Sequence, residues 1–438
     1  MRGLFSLFSL PGRFASLSLS GIVPALLLVT ADAARAQNAT PPSPVQPVAP
    51  AVPAAPPSGA AGDDDATDWR FVTRLSAVAT YDDNIFIQPA NPQDDYLFRV
   101  APSLGFGIGS FRSEFAPLSP TPHFLARTGE EDLPRKDFAF VGYTPEGVVF
   151  ADHRDENALN HDARLAARRE EELWNLQGEL RFQSIEDTDI DVGRRLRQTY
   201  YTASAAGEHA LTGKVTGGAK VLGYRSEYAT GFSSTDMRGT AYVDYQIAPK
   251  TSVGLAGVVG YLNADSGGNQ TYQQPLFQLK YRATEKISFT GQAGEEFRQF
   301  ESNIPNRSQF VFALNGIYDA SDSTALTVSS RRETQSSAQY ADENIIQTIY
   351  QAGVRQRFLQ RLYVSVNGGF VSNDYENNRA TATVLRHDDY SFGRAAVTGD
   401  ITARGSLELS YEYRNNDSSV SNFGFTENLV SLGASFLF

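Results

Sequence analysis

From Trp69 to the C-terminal Phe438, apolar and polar residues alternate in segments about ten to fourteen residues long, the period of strands whose two faces meet different surroundings. In 251–261, Val253, Leu255, Gly257, Val259 and Tyr261 share one face, and Ser252, Gly254, Ala256 and Gly260 the other. In 287–298, Ile287, Phe289, Ala293 and Phe297 oppose Ser288, Thr290, Gln292 and Arg298; in 407–414, Leu407, Leu409, Tyr411 and Tyr413 oppose Glu408, Ser410, Glu412 and Arg414. Short turn signals at 212–214, 248–250, 283–285, 320–322, 359–361 and 402–404 alternate with longer polar stretches such as 263–271, 301–307 and 376–388. The short turns recur about 35–43 residues apart, close to a propeller period. These strands are too long for propeller blades, and no recurrent Trp-Asp signature appears. Long strands with short turns at one end and longer loops at the other predict an all-β chain: a transmembrane antiparallel β-barrel of about 18 strands, with 16 as the alternative count. Apolar faces would meet lipid and polar faces the lumen. The even number puts both ends of the barrel on the periplasmic side.

The last segment is the most specific. Val430, Leu432, Ala434, Phe436 and Phe438 alternate with Ser431, Gly433 and Ser435, and the chain ends on an aromatic. It resembles the C-terminal signal that outer-membrane barrels present to the barrel assembly machinery, with Phe436 and Phe438 as its two aromatics. The least regular stretch, 110–135, holds Pro117, Pro120 and Pro122. It is too long for a turn and too rich in proline for a strand, so it is expected to be a periplasmic-side insertion, either structureless or folded into the lumen.

Residues 1–36 lie outside this pattern. Arg2 and Arg13, the apolar run Leu17–Val29 and the small-x-small Ala34-Arg35-Ala36 form a secretory signal peptide cleaved after Ala36. Residues 37–69 form a periplasmic linker rich in Pro and Ala, and the barrel is expected over 70–438. No run of about twenty apolar residues offers a spanning helix. Cysteine is absent, which removes disulfides and lipidated cysteine from consideration. Cleavage would take three arginines and Asp32, moving the net charge from -12 to about -14 (-12 - 3 + 1). A basic nucleic-acid footprint is missing, so no nucleic-acid partner is expected.

Strand parity sends Arg298, Arg331, Arg355, Arg357, Arg394 and Arg414 into the lumen, together with Asp244, Asp400, Glu408, Glu412, Gln292 and Tyr363. A ring of one sign would argue for an ion-selective pore. This mixed lining suits passage of a hydrated polar solute such as a saccharide, or a lumen closed by its own ion pairs. At the outer rim, Asp82, Asp83, Asp94 and Asp95 could hold a weakly bound divalent cation through hard oxygen ligands. The acidic run 186–193 fails as a calcium loop, because its glycine is one place late and Gln198 stands where the bidentate Glu should be. Its acids are expected to hydrate the rim and engage lipopolysaccharide through bridging cations. His153 and His387 sit beside acids in expected outer loops, but act as general bases only if the rings converge in space. No catalytic constellation or cofactor motif emerges.

The first strand ends in Tyr81-Asp82-Asp83-Asn84-Ile85-Phe86; a loop rich in Pro, Asn and Asp follows, then Val100-Ala101-Pro102-Ser103-Leu104. This resembles the outer-membrane family called putative β-barrel porin type 2. The resemblance implies a Gram-negative outer-membrane location and an association with capsular or exopolysaccharide genes. It implies a porin-like channel, or an accessory to polysaccharide or polar-solute passage with polysaccharide export components as partners. The alternative is a closed surface barrel whose outer loops bind lipopolysaccharide, polysaccharide or a protein. Because the terminal strand carries the assembly pattern, removing Phe438 or making Phe436→Ser is expected to lower outer-membrane insertion while export continues. Heat-modifiable migration of the membrane fraction measures this; unchanged levels would contradict it.

Overall fold

The computed structural model describes residues 69–109 and 137–438, apart from 266, 267, 285, 302–304, 341, 360 and 378–383. The expected signal peptide, most of the linker and the 110–135 insertion lie outside the described residues. Eighteen strands follow one another: β1 (Arg70–Asp82), β2 (Asp95–Gly109), β3 (Phe138–Phe150), β4 (Ala158–Glu170), β5 (Trp174–Asp189), β6 (Arg194–Thr212), β7 (Val215–Tyr228), β8 (Ser234–Ala248) and β9 (Thr251–Ala264) make the first half. The second half is β10 (Gln270–Thr284), β11 (Ile287–Phe300), β12 (Arg307–Ser321), β13 (Thr324–Ser336), β14 (Glu343–Phe358), β15 (Leu362–Asn377), β16 (Val384–Asp400), β17 (Gly405–Ser418) and β18 (Phe425–Leu437). Each strand pairs antiparallel with the next, and β18 returns to β1 from Arg74↔Leu437 to Asp82↔Leu429. The barrel is closed, with eighteen strands rather than sixteen.

Directly paired residues share a face, so the ladders trace each row around the wall. Leu409 pairs with Val397 on one side and Leu432 on the other; Leu432 then pairs with Ala79, and Ala79 with Phe98. Leu409 and Leu432 are 55% and 57% exposed, an apolar band with lipid as its solvent. One position along, Ser410 pairs with Ala396 and Ser431, and Ser431 with Thr80, all turned inward. Aromatic pairs flank the band: Trp69 stacks on Phe106 and Trp174 on His209 at the short-turn end, while Tyr81 meets Tyr96 at the other. Such girdles mark the two membrane interfaces. Phe436 and Phe438 point outward, in ring contact at 4.9 Å, and the Phe438 N–H donates to the Thr73 carbonyl at 2.9 Å.

The short turns fall within a residue or two of the expected places, with a further one at 171–173. The outer connections are shorter than their polarity suggests, from four residues (190–193) to twelve (83–94). Much of 263–271 and 376–388 is strand, and His387 lies on β16 rather than in a loop. The reason is that the strands, 13 to 19 residues long, overshoot the nine to eleven needed to cross hydrocarbon. Beyond the membrane both faces of a paired strand can be polar, so alternation vanishes while the ladder continues. If the face assignment holds, Leu409→Arg is expected to cost about 2–4 kcal/mol near the bilayer midplane, whereas Glu408→Gln should be mild. Reversible unfolding of both variants in lipid vesicles tests this, and equal losses would refute it.

Candidate functional site: the lumen and its outer mouth

The Tyr81–Phe86 stretch turns the chain inward over the barrel. Asp82 Oδ1 accepts from the Asn84 N–H at 2.9 Å, and Asp83 accepts from Asn428 N and Nδ2 at 2.6 and 2.7 Å. The Asn84 amide donates to the Gln88 and Thr426 carbonyls, both at 3.0 Å, and accepts from Gln88 N at 2.9 Å. This knot buries Ile85 against Leu97, Val148 and Phe150. It also delivers Ile87 into a second apolar cluster with Ile190, Ile349, Val371, Tyr390 and Phe425. Ile87 has φ 48°, a left-handed conformation that a β-branched residue adopts only at a cost of roughly 1–3 kcal/mol. Burial of its side chain opposes that cost.

The four rim aspartates do not converge. Asp82 and Asp83 hold the knot, Asp94 accepts from the Tyr81 hydroxyl at 3.2 Å, and Asp95 binds a different loop. Asp95 accepts from the backbone of Ala151, Asp152 and His153 and meets His153 Nδ1 at 2.9 Å. Among the described residues, no group of three or more His, Cys, Asp and Glu is placed to hold a metal ion. The acids of 186–193 likewise have partners within the chain: Glu186 pairs with Arg197 at 2.7 Å and Asp189 accepts from Val192 N at 3.0 Å. His387 engages Asp374 at 2.7 Å and Asp389 at 3.2 Å, so it and His153 are tied to separate acids.

By register, the twelve residues share rows with the Ala396, Ser410 and Thr80 face of the ladder. Glu408, Arg394, Glu412 and Arg414 join into a ladder of alternating charge, at 2.6 Å from Arg394 to Glu408, 3.8 Å from Arg394 to Glu412 and 2.7 Å from Arg414 to Glu412. Glu427, which parity alone did not single out, extends it at 3.0 Å from Arg414. Exposure falls along the ladder, from 27% of the Glu408 side chain to 2% for Glu427, so it runs from a wetter lumen into the packed mouth. Arg298 pairs with Glu296 at 2.8 Å, Arg331 with Glu333 at 3.3 Å and Asp244 with Lys280 at 2.6 Å. Arg355 lies over the Tyr363 ring at 4.5 Å. Gln292 faces Gln278 across the β10–β11 ladder, while Arg357 and Asp400 sit near the short-turn rim.

Three inward rings are held flat by glycines. Tyr242 pairs directly with Gly218, Tyr272 with Gly260 and Phe392 with Gly369. A Cβ at Gly218, Gly260 or Gly369 would fall 2.3, 2.0 or 2.6 Å from the facing ring, so the ring occupies the space a side chain would take. Tyr272 is fixed further by its hydroxyl on Asp236 at 2.7 Å and by Arg298 over its face at 4.6 Å. A Gly directly opposite a ring residue is legible only once register is known.

Sequence reasoning also passed over Arg386. It is 1% exposed, pairs with Asp388 through short contacts, and stands between the rings of Tyr375 and Phe423 at 4.4 and 3.5 Å. Its signal was the continuing i, i+2 series Arg386, Asp388, Tyr390, Phe392 and Arg394.

A closed eighteen-stranded barrel with a lipid-facing apolar band and a charged lumen defines a porin-like outer-membrane β-barrel. The family model described as putative beta-barrel porin 2 matches residues 309–438, nearly all of β12 through to β18. The resemblance first visible in the opening strands is thus shown in the closing ones. Among solved structures, Pseudomonas aeruginosa OccK11 (OpdR) is 12% identical at a TM-score of 0.41, covering 85% of this chain and 98% of its own. Pseudomonas aeruginosa OccK2 (OpdF) is 10% identical at 0.43, with 84% and 98% covered, and Acinetobacter baumannii OccAB4 is 11% identical at 0.42, with 86% and 100% covered. No curated protein matches the chain. The assignment rests on the barrel's own geometry and the family match. Gly260→Val is expected to displace the Tyr272 ring and destabilise the barrel by about 1–3 kcal/mol, the usual cost of overpacking. A double-mutant cycle with Tyr272→Ala measures the coupling; additive losses would contradict it.

Proposed function

We propose that the lumen carries a hydrated polar solute, a saccharide in the first instance, across the outer membrane of a Gram-negative cell. The observation that carries this reading is the inward wall itself: paired charges, amides and phenols that keep partial exposure below the mouth, with Tyr242, Tyr272 and Phe392 laid flat rather than projecting. Wide barrels of sixteen to eighteen strands leave an aqueous channel unless something fills them. Charged groups satisfied by one another offer hydrogen bonds to a passing hydroxyl without trapping it. The same reading has export directed by a signal peptide cleaved after Ala36 and insertion assisted by the assembly machinery.

The wild type has no cysteine, so single cysteines give a clean accessibility assay. Gln292→Cys, Arg355→Cys and Glu408→Cys are expected to react with a water-soluble thiol reagent in reconstituted barrels, and Leu409→Cys to resist it. Single-channel current through the refolded barrel should shift its reversal potential toward cations in Arg355→Glu. Protection of all three inward positions with no current would overturn the reading.

A further inference from the structure

The short-turn end is built on a repeated seat. Immediately before β7, β9, β11, β15 and β17 stand Lys214, Lys250, Lys286, Arg361 and Arg404, all exposed. The backbone carbonyl of each accepts from an N–H near the end of a neighbouring strand: Gln246 on β8, Arg282 on β10, Asp319 on β12, Asp400 on β16 and Leu437 on β18, at 2.7 to 2.8 Å. Three of the seats share a second device. Thr212, Thr284 and Thr402 each turn a hydroxyl onto the N–H two residues on, at 3.2, 3.1 and 3.2 Å. Before β13 the same place is held by Ser323, whose carbonyl accepts from Arg357 N. The last rung of the ladder thus sets cations at alternate strands, neighbouring ones roughly 10 Å apart along the rim.

Among the described residues none of the five cations is in an ion pair, and Lys250 Nζ donates to the Ala283 carbonyl at 2.7 Å. The acids of this end gather elsewhere: Asp137, Glu170 and Glu171 pair with Arg168 and Arg169 near β4, and Asp322 stands in the β12–β13 turn. Asp400 faces Arg355 as well as Arg361. The opposite end has the reverse charge. Its connections carry Asp152, Asp155, Glu156, Asp265 and Glu301, and among their described residues Arg154 is the one Lys or Arg. Each of the five cations also has an exposed apolar residue within three positions: Leu211, Ile247, Ile287, Leu359 and Ile401. Leu359 is the extreme, 89% exposed at φ 47°. Such a side chain gains where hydrocarbon begins, and a cation gains where phosphate does. The edge of a phospholipid leaflet offers both within a few ångströms.

We propose that this rim is a binding ring for anionic phospholipid: the five cations take phosphate groups of the periplasmic leaflet while the five apolar neighbours enter its acyl region. The ring goes beyond the channel reading and does not depend on it. Lys meets a headgroup as a point charge and Arg as a fork of donors, and both are drawn to an anionic surface. Because each seat is hydrogen-bonded into the ladder, lipid held there fixes how deep the barrel sits. The acidic opposite end has no counterpart to these seats, so charge also distinguishes the end that meets phospholipid.

The test uses spin-labelled lipids with the protein refolded into phosphatidylcholine vesicles. The fraction of label immobilised at the barrel surface gives the relative association of phosphatidylglycerol and phosphatidylcholine. Wild type is expected to prefer phosphatidylglycerol several-fold, and high ionic strength to weaken the preference. Replacing all five cations with Gln should bring the ratio close to one, whereas exchanging Lys for Arg and Arg for Lys at the same places should keep it. Trp174 gives a local check, being exposed on β5 and stacked on His209 of the strand that leads to Lys214. Brominated phosphatidylglycerol should quench tryptophan emission more than brominated phosphatidylcholine does. With Trp69 the only other tryptophan, loss of that excess in Lys214→Gln isolates the β6–β7 turn. Heat-modifiable migration shows whether each variant is a folded barrel; if the five-site variant is not, Lys214→Gln decides. A wild type without the preference, or Gln variants that keep it, overturns the ring. A shifted reversal potential in variants that keep the preference would assign these cations to the lumen instead.

Discussion

In hydrocarbon no water is present to pair a backbone N–H or C=O, and each group left alone costs several kcal/mol. For a chain that crosses as strands, the one remedy is a ladder with no first and no last member. Here the remedy is the seam between β1 and β18, nine register pairs from Arg74↔Leu437 to Asp82↔Leu429. Residues some 350 positions apart must meet in register for any intermediate strand to be satisfied. The even strand count, the alternation of faces and the outward Phe436 and Phe438 all serve that closure.

Closure of eighteen strands creates a second problem, a lumen too wide for ordinary side chains to fill. Along the inner wall, rings lie against glycines and charged groups pair with one another. Toward the outer end, apolar residues from six separate segments gather around Tyr390 and Val371. That cluster needs Ile87 in a strained conformation. Buried pairs such as Arg386 with Asp388 are weak sources of stability in themselves, because desolvation offsets attraction. Their value here is geometric: a guanidinium with fixed donors holds the Ile190 and Asp191 carbonyls in one place.

The alternation of residues such as Leu407, Glu408, Leu409 and Ser410 determined the strands, their two faces and, with the turn signals, their number. Period two is a local property, and lipid on one side with water on the other makes each position report its own environment. Which residues share a row was legible for the same reason, because a face follows from parity once one residue is placed. The roles of Asp82, Asp83, Asp94 and Asp95 were not legible: four carboxylates near in sequence resemble a cation site, yet each is turned to a different partner. The same holds for 376–388, where polarity read as loop although the ladder continues past the membrane. What only the tertiary structure decided is everything at the mouth: that Ile87 meets Ile349, that Asp191 receives Ser337 and Ala338, and that Arg386 lies beneath them. Those contacts join strands five or more places apart around the ring. No local period encodes the angle at which a hairpin leaves the wall, and only closure brings its partners within reach.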